Sequence, residues 1–213
     1  MYLSRLTINT RSPVALRALS DPYAMHQLVW SAFPDREQGG TGRVLFRLEP
    51  LADGRPPVVL VQSQREPAWE PLEQTGCLTS ECKPSSPMVS RGQRLRFRLR
   101  ANPTARRVFS PPVPEGMPKP SGTRIGVYGE EAQRRWLEAK AEKYGFRLLD
   151  CRVLDRGFVV SRKPGHGDPI RHLCVDFEGV LQVTDPKGFL AALESGIGSA
   201  KGFGFGLLSV APA

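Results

Sequence analysis

Tyr23 and His26 stand three residues apart in a stretch, Pro22 to Phe33, that carries Met25, Leu28, Val29 and Ala32 at helical spacing. Positions i and i+3 share a helix face, so a phenol and an imidazole can converge there on one target. An imidazole moves protons near neutral pH, and a phenol can donate or orient through its hydroxyl. Alone, such a pair is an ordinary helix-surface feature; beside a polyanion groove it acquires chemistry. RNA carries its own nucleophile, the 2′-OH. A protein need only align it with the adjacent phosphate, manage two protons and stabilise the extra negative charge.

The charge supplies that context. The 213 residues hold 30 Lys and Arg against 21 Asp and Glu, a net +9. Arginines outnumber lysines 23 to seven, and the planar guanidinium fork is the side chain that grips phosphate bidentately. Residues 91–107 contain seven arginines and no acid. Within them Arg94, Arg96, Arg98 and Arg100 alternate strictly with Leu95, Phe97 and Leu99. On a strand this puts the apolar side chains in a core and aligns the four arginines along the other face, about 7 Å apart. A row of like charges is unfavourable unless something screens it, so these four are expected to track a phosphate backbone. Arg162 and Lys163 form a smaller basic pair that could grip one as well.

Gly196 to Gly206 holds Lys201-Gly202-Phe203-Gly204-Phe205. Glycines of a dinucleotide fold lie between a strand and the next helix; these follow a helix and precede a strand, and no phosphate-loop Gly-Lys-Ser/Thr occurs. The start of an RNA-recognition-module strand motif is present, but too little chain follows for that topology. What survives is a loop of bare backbone that a phosphate chain can approach, with Lys201 and Gly202 at its centre. Cys77, Cys82, Cys151 and Cys174 are spaced for neither a zinc site nor a disulfide framework, so free thiols are expected. No metal or cofactor is expected either, since paired carboxylates are also lacking.

The elements needed to hold these groups follow from periodicity. Met1–Thr10 reads as a strand and Pro22–Phe33 as a helix capped by Asp21. Arg43–Leu48, Pro57–Gln62 and Arg94–Arg100 read as strands, with a short helix at Ala68–Gln74. Beyond a stretch with five prolines between Ser110 and Gly122, a helix spans Gly129–Gly145. Strands follow at Phe146–Leu154, Phe158–Arg162 and His172–Thr184, the last with a turn at Glu178-Gly179. A helix from Asp185 and a strand at Leu207–Val210 close the chain. The expected class is α+β: two tandem ferredoxin-like domains, antiparallel sheets with helices on one face. The divisions are 1–100 for the first, 101–122 for a Pro-rich linker and 123–213 for the second, with Thr104–Phe109 as a candidate first strand of the second unit. No stretch is long and apolar enough for a membrane span. The opening Met1-Tyr2-Leu3-Ser4-Arg5 lacks the core of a secretory signal, so a cytoplasmic protein is expected.

Three blocks together carry a family likeness: Asp21-Pro22-Tyr23-Ala24-Met25-His26, Arg94 through Pro103, and Gly196 through Ser209. In their order and spacing the sequence resembles the CasE endoribonucleases of type I-E CRISPR systems. The resemblance implies metal-independent cleavage of CRISPR repeat RNA at the base of its hairpin, leaving a 2′,3′-cyclic phosphate and a 5′-OH. It also implies retention of the guide RNA and assembly with other Cascade subunits. The family's tyrosine and histidine fall on Tyr23 and His26, and its stem-binding basic segment on Arg162 and Lys163. Whether His26 serves the 2′-OH or the leaving 5′-oxygen stays open. Ser31 stands where some relatives carry a lysine, which leaves the stabilising cation to Lys201 or an arginine. A non-catalytic RNA-binding subunit on the same fold is the alternative.

Overall fold

Leu6 and Ile8 alternate with polar residues, and the chain there forms the central strand of a sheet whose outer elements were harder to foresee. The computed structural model describes residues 1–34, 42–51, 53–107, 122–162 and 168–213. Strand β1 (Tyr2–Ile8) pairs antiparallel with β3 (Val58–Ser63) on one side and β4 (Leu78–Pro84) on the other. Strand β2 (Val44–Leu48) adds to β3, giving the order β2-β3-β1-β4. Helices α1 (Pro13–Ser20) and α2 (Pro22–Trp30) connect β1 to β2, and α3 (Glu70–Gln74) precedes β4. Leu6, Ile8, Met25, Leu28, Val29, Phe46, Val59 and Val61 share one buried cluster with both longer helices.

The second sheet is β10-β5-β9-β8. It joins β5 (Arg94–Ala101), β8 (Phe146–Ser161), β9 (Ile170–Val183) and β10 (Leu208–Pro212), with α4 (Glu130–Lys143) and α5 (Pro186–Ser195) packed against it. The two sheets thus repeat one ferredoxin-like order, fourth-first-third-second, each an antiparallel sheet with its own apolar cluster. The α+β class and the tandem arrangement hold.

The division after residue 100 does not. Strand β5 hydrogen-bonds to β9 and β10, with Leu99 opposite both Phe177 and Leu208. Leu95, Phe97, Leu99 and Ala101 are buried in the second cluster. The first sheet instead closes with β4, an edge strand of mostly exposed polar residues. The candidate first strand of the second unit forms part of a separate ribbon, β6 (Thr104–Arg107) with β7 (Thr123–Gly126). Most of the proposed Pro-rich linker, residues 108–121, lies outside the described residues.

Two other breaks vanish. The stretch read as two strands around Gly157 is the single strand β8, with a register shift between Asp155 and Phe158. Gly157 takes φ 75° while its N–H donates to the Asp155 carboxylate at 2.8 Å; a bulge absorbs the turn signal. Strand β9 runs straight through Glu178 and Gly179. A Cβ on Gly179 would lie 2.1 Å from the Asp150 carbonyl oxygen, so that glycine serves a close strand approach rather than a turn. Among the described residues no helix is long and apolar enough to cross a membrane, and all four cysteines are free thiols.

Candidate active site

Asp21 ends α1 and caps α2: its carboxylate accepts from the Tyr23 N–H at 2.9 Å, and Pro22 occupies the first turn. This start fixes the phase of α2. Met25, Leu28 and Val29 turn into the first core, so Tyr23, His26 and Trp30 must share the opposite, half-buried side. Their rings follow one another, Tyr23 to His26 at 6.5 Å between centroids and His26 to Trp30 at 5.6 Å. The imidazole is thus held in an aromatic stripe.

The Gly-rich segment meets this stripe. After α5 the chain passes Gly196 and Gly198, both at positive φ, and makes a 3₁₀ turn at Lys201–Phe203. A Cβ on Gly202 would sit 3.6 Å from both Cε1 and Nδ1 of His26, an ordinary contact distance; the backbone of the turn therefore passes beside the imidazole. Gly204, at φ 87°, passes more closely over Phe46, where a Cβ would come within 3.1 Å of the ring. Lys201 precedes the glycine beside His26. Burial first, and then the charge of Arg43, lower the Lys201 pKa. Arg43 is thus a second cation near this turn, just before β2; in the sequence no pattern ties it to the loop. Ser31 caps the end of α2, its hydroxyl donating to the Leu28 carbonyl at 2.7 Å.

The arginine row of β5 is divided. Arg100 forms a two-pronged pair with Asp176, at 2.7 and 3.0 Å, and donates to the Leu48 carbonyl. Arg98 pairs with Glu49 at 2.9 Å and Glu178 at 2.8 Å. Burial works to raise the Asp176 pKa, but hydrogen bonds and charge from Arg100 and Arg156 outweigh it and hold the carboxyl below its ordinary range. These acids come from the neighbouring strand β9 and the end of β2, so screening expected from a polyanion is supplied within the fold. The arginine face of β5 is in this part a joint between the two sheets. Arg47 completes the joint: it is 2% exposed, pairs with Glu49 at 2.6 Å, and donates to the Arg98 and Leu207 carbonyls at 3.1 Å each.

Arg94 and Arg96 remain exposed, Arg96 donating to the Pro212 carbonyl at 3.0 Å. Arg94 lies six residues along the strand from Arg100, about 20 Å away at the usual rise, at the far end of the row. Arg162 is exposed just beyond the end of β8; Lys163 lies outside the described residues. The structure brings Tyr23, His26 and Gly202 together, with Lys201 next to Gly202 in the chain and Arg43 close enough to Lys201 to act on its charge. Arg124 and Arg171, further exposed arginines, border the ribbon and β9 close to the same Gly-rich segment; as isolated residues they carried no pattern. Among the described residues no cluster of His, Cys, Asp and Glu is placed to hold a metal ion.

The family model described as CRISPR associated protein matches residues 1–212. The chain is 38% identical over 222 residues to the CRISPR-associated endoribonuclease Cse3 of Thermus thermophilus, with both proteins covered in full. It is 30% identical over 213 residues to the Cascade subunit CasE of Escherichia coli, again over the whole of each. The structure of Thermus thermophilus Cse3 bound to an RNA representing a pre-cleavage complex superposes with a TM-score of 0.85 at 38% identity, over 99% of this chain and 98% of that one. With its two sheets, its Gly-rich turn and its full length accounted for by these matches, the chain belongs to the CRISPR-associated protein family alongside Cse3 and CasE.

Proposed function

We propose that the protein is a metal-independent endoribonuclease that cuts CRISPR repeat RNA at the base of its hairpin and then holds the product as a Cascade subunit. The observation that carries this reading is the approach of Gly202 to the His26 imidazole, because it sets the turn that includes Lys201 beside the group that can move a proton. In the reaction the 2′-oxygen forms a bond to the adjacent phosphorus while the bond from phosphorus to the 5′-oxygen breaks. One proton leaves the 2′-OH and one joins the departing 5′-oxygen, giving a 2′,3′-cyclic phosphate and a 5′-OH. His26 serves one of these transfers, and Tyr23, on the same helix face, orients the reacting groups or shares the work. Lys201 and Arg43, neighbouring cations at the turn, are assigned the charge that develops on the phosphorane, the role that Ser31, tied up in its cap, does not fill.

The relatives support the same reading: one is named an endoribonuclease, its structure holds an RNA representing a pre-cleavage complex, and another is named a Cascade subunit. The exposed Arg162, with Lys163, grips the RNA stem, while Arg94 and Arg96 reach phosphates remote from the cut. The substrate is a transcript, and the compartment read for its processing is the cytoplasm. The expected result is a single cut in a repeat hairpin with excess EDTA present, with product ends carrying cyclic phosphate and 5′-OH. Binding of the hairpin without any cut by the unaltered protein would leave only the RNA-binding subunit.

A further inference from the structure

Beyond the reacting turn lies a second cavity that the chemistry above does not use. It has a volume of about 400 Å³ and is bordered by Arg124, Tyr128, Phe158, Arg171, His172 and Phe203. That is enough for one nucleoside, within the ordinary range of small-ligand sites. Tyr128 is 60% exposed and Phe158 45%, so two large aromatic side chains stand in solvent next to each other, their centroids 6.4 Å apart. The Arg171 guanidinium lies over the Phe158 ring at 4.4 Å. The ring of Tyr128 folds back over its own ribbon, where a Cβ on Gly126 would come within 2.8 Å of it; glycine there gives the ring its place. Arg124 stands on the same ribbon, opposite Arg106 and two residues before the Gly126 that pairs with Thr104.

The back of the cavity is polar. His172 is 8% exposed, and its Nε2 has no partner among the described residues. Asn102 lies 3.5 Å from the other ring nitrogen. When its amide N–H donates to Nδ1, the proton of the neutral ring sits on Nε2, a donor without an acceptor. The Nε2 atom itself is closed off from solvent, so His172 forms part of the back wall and offers no open donor. Phe203 links this cavity to the reacting turn. Its ring lies 4.6 Å from that of His172, while Gly202, the residue before it, lies beside His26.

We propose that this cavity receives one unpaired base of the repeat RNA, stacked against Phe158 and Tyr128, with Arg124 and Arg171 on its flanking phosphates. Splayed single-stranded bases are recognised by aromatic faces and arginine planes in this way. The proposal rests on the ribonuclease reading and adds to it a reason for the position of the cut. A base locked on one side of the Lys201–Phe203 turn sets which phosphate lies at His26 on the other.

The test places 2-aminopurine, one position at a time, at each unpaired nucleotide flanking the stem of a repeat hairpin. Fluorescence, affinity and cleavage are followed with unaltered protein, Phe158→Ala, Tyr128→Ala and Phe158→Tyr. One position beside the cut is expected to change in fluorescence on binding. The signal should be lost in either alanine variant and kept in Phe158→Tyr. An abasic residue at that position should weaken binding by unaltered protein roughly ten-fold, the worth of one stacked base, and leave Phe158→Ala unaffected. A hairpin that is bound and cut with no position responding to Phe158→Ala overturns the pocket and leaves the ribonuclease standing. A responsive position with no cutting upholds the pocket and sinks the ribonuclease. Protein that binds no hairpin sinks both.

Discussion

His26→Ala should bind a repeat hairpin within about two-fold of the unaltered protein and cut it at least roughly 100-fold more slowly, the span usual for loss of one proton-transferring side chain. The separation of binding from chemistry follows from the surroundings of the ring. His26 is half-buried between Tyr23 and Trp30 with Gly202 beside it, while the exposed arginines offered to phosphate belong to other elements. Single-turnover cleavage beside equilibrium binding separates the two effects. A loss of affinity of about ten-fold with unchanged cleavage at saturation would place His26 in binding instead.

Arg47→Ala should cost about 3–5 kcal/mol, the usual penalty for taking one partner from a buried ion pair. For a chain of this size that is a fall in Tm of roughly 10 °C. Burial already depresses the Arg47 pKa, opposed by Glu49 and reinforced by the neighbouring Arg98 and Arg100 charges. Removing the side chain leaves the Arg98 and Leu207 carbonyls without the donor at 3.1 Å. It also leaves the half-buried Glu49 with Arg98 alone. Leu207 directly follows the Gly-rich segment, so the joint also anchors the chain that carries Lys201 and Gly202. Thermal unfolding measures the loss; a shift below about 2 °C, less than one kcal/mol at this size, would mean that the two sheets do not depend on this contact.

Much of the fold was legible because its signals are local. The Asp21-Pro22 cap and the apolar stripe of α2 define a helix on their own, and Asp185 does the same for α5, accepting from the Lys187 and Gly188 N–H groups at 3.1 Å. What escaped depended on partners distant in sequence. Helix α1 has a proper start, Ser12 followed by Pro13, but it buries only Ala15 and Ala18 and exposes Val14 and Leu16, so its apolar stripe is too slight to read. Strand β4 is an edge whose single buried residue is Leu78. The alternation in β5 correctly marked a strand with one core face, yet gave no clue to which core, nor to the carboxylates waiting across it. Asp176 and Glu178 lie in β9 and Glu49 beyond β2, and only register brings them to Arg100 and Arg98. At the candidate site Tyr23 and His26 share one helix face and Gly202 of the Gly-rich turn comes up beside His26. Arg43 and the aromatic pair Tyr128 and Phe158 belong to no motif and become visible only once the strands are paired.

The most direct measurement replaces one ribose by deoxyribose, at the nucleotide whose 2′-oxygen would attack, in a hairpin otherwise identical to the cleaved one. The account predicts binding as tight as before and no cut at that bond, with His26 and Lys201 intact. Continued cleavage there would show that the nucleophile comes from elsewhere and would contradict the mechanism at its first step.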